Sequence, residues 1–121
     1  MKAIRQQMNY HAGLAAERAV ERHYSARGAR LRHHRWRGRG GEVDLIAREG
    51  DELIFIEVKK SSTHARAAAR LGRRQLQRIM AAAEEFLAGE PAGLNTPMRI
   101  DLALVDAEGK IEVIENAAMW A

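Results

Sequence analysis

Three side chains stand out by type and spacing: Asp44, Glu57 and Lys59. They sit in two stretches that are otherwise aliphatic, Gly41-Glu42-Val43-Asp44-Leu45-Ile46-Ala47 and Leu53-Ile54-Phe55-Ile56-Glu57-Val58-Lys59. An aliphatic segment that carries Asp, Glu and Lys must solvate them, pair them, or use them on a metal ion, because an unpaired buried charge is costly. Carboxylate oxygens are the ligands that Mg2+ or Mn2+ take. The spacing by itself also fits a plainer arrangement, an exposed Glu-Lys ion pair worth about 0–1 kcal/mol.

The elements that must position these groups are strands. Both stretches are rich in β-branched and aliphatic residues, and the break between them, Arg48-Glu49-Gly50-Asp51-Glu52, has the polar, glycine-bearing composition of a hairpin loop. Strand side chains alternate between faces, so Glu57 and Lys59 share one face and Ile54, Ile56 and Val58 the other. Glu42, Asp44 and Ile46 share a face by the same rule, and the hairpin brings Asp44 across from Glu57.

Residues 1–10 are expected to form a frayed, flexible tail. A helix follows from about His11 to Arg27, closed by Gly28, and Ala29 to Arg37 reads as a basic strand. Arg35, Arg37 and Arg39 lead into Gly38, Gly40 and Gly41, a flexible basic lip before the acidic hairpin. After Lys59 comes a loop with helix-capping residues, then one helix from about Ala65 to Ala88 whose apolar positions Leu71, Leu76, Ile79, Met80, Ala83, Phe86 and Leu87 keep helical spacing. Its polar face carries Arg66, Arg70, Arg73, Arg74 and Arg78 with no acid in its first half. Met98 to Val105 is a nearly continuous apolar run, hence a central strand, and Lys110 to Glu115 alternates like an edge strand. The order α-β-β-β-α-β-β predicts an α/β fold with a mixed five-stranded sheet flanked by helices.

Charge is arranged in blocks. Residues 1–41 hold ten Lys or Arg against two Glu, residues 42–58 one against six acids, residues 59–78 seven against none, and residues 79–121 two against eight. An acidic centre is thus flanked by basic segments, and sixteen of the twenty cations are arginine, whose planar fork suits phosphate. A polyanion is one reading and a solvated basic surface the other. A chain of 121 residues fits a single domain, 1–121, with one modest core. The absence of cysteine excludes disulfides, thiolate chemistry and cysteine zinc sites. No apolar run approaches about 18 residues and no signal-like region is present, so no membrane partner and a cytoplasmic location are expected. The histidines form no metal-ligand spacing. Aromatic residues in the basic segments are few, Trp36, Tyr10 and Tyr24, which points to shape or backbone recognition rather than base readout.

The pattern Asp, spacer, Glu-x-Lys resembles the PD-(D/E)XK nuclease superfamily, and its surroundings resemble the YraN-like family within it. The resemblance extends to Gly13, Glu17, Gly28, the basic strand up to Arg37, and Arg99-Ile100-Asp101, nearly the whole chain. It implies a restriction-endonuclease-like core and a metal-dependent endonuclease acting on DNA, branched or processed DNA included. Asp44 and Glu57 are then the metal ligands for Mg2+ or Mn2+, and Lys59 positions or deprotonates water and stabilises phosphate charge. Glu17 is included as a further catalytic candidate through the resemblance alone. A glutamine on the following helix, Gln75 or Gln77, corresponds to one that some relatives use to orient water. The resemblance also makes a homodimer an expected partner arrangement.

Two positions depart from the pattern. Val43 stands where the superfamily often has proline, and Ser61 where the family usually has arginine two residues after the motif lysine; Lys60 is expected to face away from the site. Nucleic-acid contacts are assigned to Arg35, Arg37, Arg39, Arg66, Arg70, Arg73, Arg74 and Arg78. The competing reading is a non-catalytic nucleic-acid-binding module that keeps the fold, with an RNA-processing subunit as a third.

Overall fold

The computed structural model describes the backbone of residues 2–120 and the side chains of residues 13–118. Helix α1 spans Lys2–Ala26, followed by strands β1 Arg30–Arg37, β2 Glu42–Glu49 and β3 Glu52–Lys60, helices α2 His64–Ala69 and α3 Arg73–Leu87, and strands β4 Met98–Val105 and β5 Ile111–Ile114. Short 3-10 turns lie at Gly93–Asn95 and Ala117–Trp120. The sheet runs in the order β1-β2-β3-β4-β5. Its pairs are antiparallel except β3 with β4, which are parallel and joined by the crossover through α2 and α3. This is the mixed five-stranded α/β sheet flanked by helices that the sequence predicts.

Helix α1 buries Val20 and Tyr24 on one face of the sheet, against Leu45, Ile54, Ile56, Ala103 and Val105. Helix α3 buries Leu76, Ile79, Ala83 and Leu87 on the other, against Val43, Leu53, Phe55 and Ile100. Strand β3 is therefore covered on both sides, and Leu53 to Ile56 are all buried. That explains their unbroken apolar run. Each such side chain contributes about 1.5–3 kcal/mol by leaving water.

Three local expectations need correction. Residues 2–10, expected as a tail, continue the helix, because nothing between Lys2 and Ala12 breaks it and Ala, Gln, Met and Arg favour it; their side chains lie outside the described residues. The hairpin loop is shorter than its composition suggests, since Glu49 pairs with Glu52 and only Gly50 and Asp51 turn, with Gly50 at φ +60° supplying the left-handed residue. The expected helix from Ala65 to Ala88 is two helices. Gly72 is extended (φ −91°, ψ 163°) as the cap of α3, and the break lets α2 pack Ala67 on Leu102 and Leu104 while α3 packs on the β2–β3 side.

A buried polar cluster ties α1 to the sheet. Asp101, fully buried, accepts hydrogen bonds from Tyr24 Oη (2.7 Å), Arg99 Nε (3.0 Å) and the Asn116 backbone N–H (3.0 Å). Arg99 also donates to Glu52 at 2.7 Å. Burial and the hydrogen bond to Asp101 push the Tyr24 hydroxyl well above its ordinary pKa, so it remains a donor. Glu17 lies seven residues before Tyr24 on the same helix face, so the anchored tyrosine also sets where Glu17 points. Among the described residues no helix is long and apolar enough to cross a membrane.

Candidate functional site

The ladder between β2 and β3 ends at Leu45 opposite Ile56. One step further, Asp44 lies beside Glu57, and its Oδ2 accepts the Val58 backbone N–H at 2.8 Å. The carboxylate takes the place of a ladder partner, which fixes its direction. Strict alternation fails here: Val43 and Ile46 pack in one cluster and Leu45 in the opposite one. The expected shared face of Glu42, Asp44 and Ile46 is thus interrupted by a slip between Val43 and Leu45. Across the ladder, between the pairs His34–Leu45 and Trp36–Val43, Arg35 adopts φ +53°. That conformation costs a non-glycine residue on the order of 1 kcal/mol, and it accompanies a contact from Arg35 Nε to Glu17 Oε2 at 3.2 Å.

Glu57 is buried, at 6% exposure. Gln75 Nε2 donates to its Oε1 at 3.1 Å, and Lys59 Nζ lies 3.7 Å from the same oxygen. Burial first, then the Asp44 charge and a hydrogen bond to Asp44, push the Glu57 carboxyl up to about 9, with Lys59 opposing. Burial and the neighbouring Asp44 carboxylate both disfavour the charged form, so Glu57 holds its proton well above the ordinary carboxyl range. The pair offers oxygen donors of the kind hard divalent ions take. Among the described residues, no group of three or more His, Cys, Asp or Glu side chains converges for a metal.

Asp44, Glu57, Lys59, Glu17 and Gln75 line one open cleft of about 670 Å³, bordered also by Gly13, Lys60 and Arg70. Glu17, chosen by resemblance, is therefore beside the pair, with a buried side chain held by Arg35 and 3.8 Å from His34 Nε2. Of the two candidate glutamines, Gln75 reaches Glu57 and Gln77 is exposed. Lys60, expected to face away, borders the cleft with Lys59 at the C-terminal end of β3, where both still pair with β4. Its carbonyl oxygen accepts from Arg70 Nη1 at 2.8 Å.

The predicted arginines divide into two groups. Arg37, Arg39 and Arg78 line a second hollow that adjoins the cleft, Arg70 borders the cleft itself, and Arg35 holds Glu17. Arg66, Arg73 and Arg74 are not brought to it. Arg66 Nη1 donates to Ser62, Arg73 borders a separate apolar hollow, and Arg74 is exposed. The continuous basic stripe expected on one helix is split by the break at Gly72.

Residue spacing gave no sign of how the lip is held. The Arg39 backbone N–H donates to Glu85 at 2.9 Å, and a Cβ on Gly41 would lie 2.5 Å from the Arg78 carbonyl oxygen. The glycine content was the available signal: Gly41 is glycine because α3 passes that closely.

Residues 16–105 match the family described as Uncharacterised protein family UPF0102. The chain belongs to that family. A UPF0102 protein of Cereibacter sphaeroides strain KD131 is 62% identical over 111 residues, covering 92% of this chain and 95% of its own. A UPF0102 protein of Ruegeria pomeroyi is 58% identical over 119 residues, 97% of each chain. One from Dinoroseobacter shibae is 48% identical over 108 residues, 89% of this chain and 81% of its own. The UPF0102 match runs from α1 to the end of β4, so it encloses Glu17, Asp44, Glu57, Lys59, Gln75 and Arg78.

Proposed function

We propose that this UPF0102 chain is a metal-dependent phosphodiesterase of the PD-(D/E)XK type, an endonuclease acting on DNA, including branched or processed DNA. The observation that carries the reading is the meeting of Asp44, Glu57 and Lys59 in one open cleft, with Glu57 buried against Asp44. Asp44 and Glu57 would hold Mg2+ or Mn2+. Such an ion, when bound, polarises the phosphoryl oxygens and lowers the pKa of water.

The protein's own groups do the rest. Val58 N–H orients Asp44, and Gln75 orients Glu57. Glu57 surrenders its proton as the site fills, so occupancy rises with pH. Lys59 balances the carboxylates and stabilises negative charge developing on a phosphate in the cleft. Arg70, the C-cap residue of α2, supplies positive charge at the border of the cleft. Cutting both strands of a duplex or junction requires two such sites, which a homodimer provides.

One observation favours the second reading, a non-catalytic nucleic-acid-binding module: the acidic pair recruits no third ligand of the His, Cys, Asp or Glu type among the described residues. Such a module binds with strong salt dependence and needs no metal. The deciding experiment titrates Mn2+ into wild type and Asp44→Asn, following ion binding together with cleavage of duplex, single-stranded and branched DNA. Ion binding and cleavage that disappear together in the variant support the nuclease. If neither protein binds the ion and both bind DNA equally, the acidic pair is structural and the binding module stands.

A further inference from the structure

We infer that the hollow between the Gly38–Gly41 lip and α3 is a phosphate subsite, in which Arg39 and Arg78 grip a phosphate flanking the one at the carboxylates. The inference rests on the phosphodiesterase reading of the neighbouring cleft.

The hollow, of about 570 Å³, shares Glu42, Glu57 and Gln75 with that cleft, so a strand lying in one continues into the other. Three arginines line it. Arg37 is tied to Glu42 through two hydrogen bonds, of 2.9 and 3.1 Å. The guanidinium groups of Arg39 and Arg78 have no carboxylate partner among the described residues. They come from opposite walls, one from the lip and one from the helix.

These walls are held together. The Arg39 backbone N–H donates to both Glu85 carboxylate oxygens (2.9 and 3.2 Å), Gly38 N–H donates to the Gly41 carbonyl (2.9 Å), and Gly41 leaves no room for a Cβ against the Arg78 carbonyl. Two unpaired guanidinium forks on braced backbones match phosphate, and bracing lowers the entropy lost when an anion is captured. Among the described residues no aromatic side chain lines either hollow, and the charged forks there suit a phosphate backbone.

The test compares two double variants in binding a short DNA duplex over a range of salt, with Mn2+ affinity measured on the same proteins. Arg39→Ala with Arg78→Ala removes the grip. Arg73→Ala with Arg74→Ala removes the same charge from exposed positions of α3 outside both hollows. The first pair is expected to weaken binding roughly tenfold and to reduce the slope of log K against log salt by about 1. Its Mn2+ affinity stays that of wild type, and the second pair keeps the wild-type slope. Equal effects from the two pairs, or an unchanged slope in the first, would overturn the inference. Loss of slope in the first pair alone, in a protein that binds no Mn2+, would keep the phosphate site and remove the phosphodiesterase reading.

Discussion

Replacing Glu57 by Gln should stabilise the metal-free protein, and the amount follows from the buried carboxyl. Unfolded, Glu57 releases its proton near 4.5; folded, it holds the proton up to about 9. Below pH 4.5 both states are protonated and the group costs nothing. As pH rises between the two values, the unfolded chain is favoured by about 1.4 kcal/mol per unit, and the loss levels off once the folded pKa is passed. At pH 7.5, three units above the unfolded value, the accumulated cost is about 4 kcal/mol, a large share of the roughly 5–15 kcal/mol that holds a domain folded. Glutamine stays neutral at every pH, and its amide can still donate toward Asp44. Urea unfolding in EDTA should therefore place the Glu57→Gln midpoint roughly 2 M above wild type at pH 7.5, for a slope of about 2 kcal/mol per M. The difference should shrink to nothing near pH 4.5. A variant no more stable than wild type at pH 7.5, or a difference that does not change with pH, would refute the account of Glu57 as an acid kept neutral by burial and by the Asp44 charge. Added Mn2+ should reverse the order under the proposed function, because only wild type can exchange its proton for the ion.

Two further substitutions probe the supports of the site. Tyr24→Phe removes the 2.7 Å donor to fully buried Asp101 and should cost about 1–3 kcal/mol, read as a fall in Tm of roughly 5–10 °C; an unchanged Tm would mean that the cluster does not depend on this bond. Gly41→Ala drives a Cβ into the Arg78 carbonyl and should cost about 1–3 kcal/mol. It should also weaken DNA binding while leaving Mn2+ affinity intact, and a variant that binds DNA like wild type would show that the lip need not stay braced on α3.

Much of this arrangement is legible in the residues alone. The aliphatic runs of β2, β3 and β4 announce strands because a sheet covered on both faces demands apolar side chains at successive positions. Gly28 announces the end of α1, and it does sit in the left-handed region at φ +91°. Asp44 and Glu57 can be set side by side from hairpin geometry, because a short turn fixes register. Helix boundaries are less legible: Gly72 inside a helical spacing reads as a tolerated glycine, and only the packing of Ala67 in one cluster and Leu76 in another shows why the chain turns there.

What the sequence determines by itself, then, is local and periodic: which segments are strands or helices, which charges lie close along the chain, and which residue types are available for metal and phosphate chemistry. What only the tertiary structure decides is which distant groups meet. Gln75 reaches Glu57 from α3, Glu17 lines the same cleft from α1 on the opposite face of the sheet, Arg39 and Arg78 line one hollow, and Arg73 and Arg74 are left outside it. The slip in β2 and the left-handed Arg35 opposite it belong to the same class. The reason is physical: alternation and helical spacing describe one element, whereas the dryness that raises the Glu57 pKa is made by several elements closing around one carboxyl group.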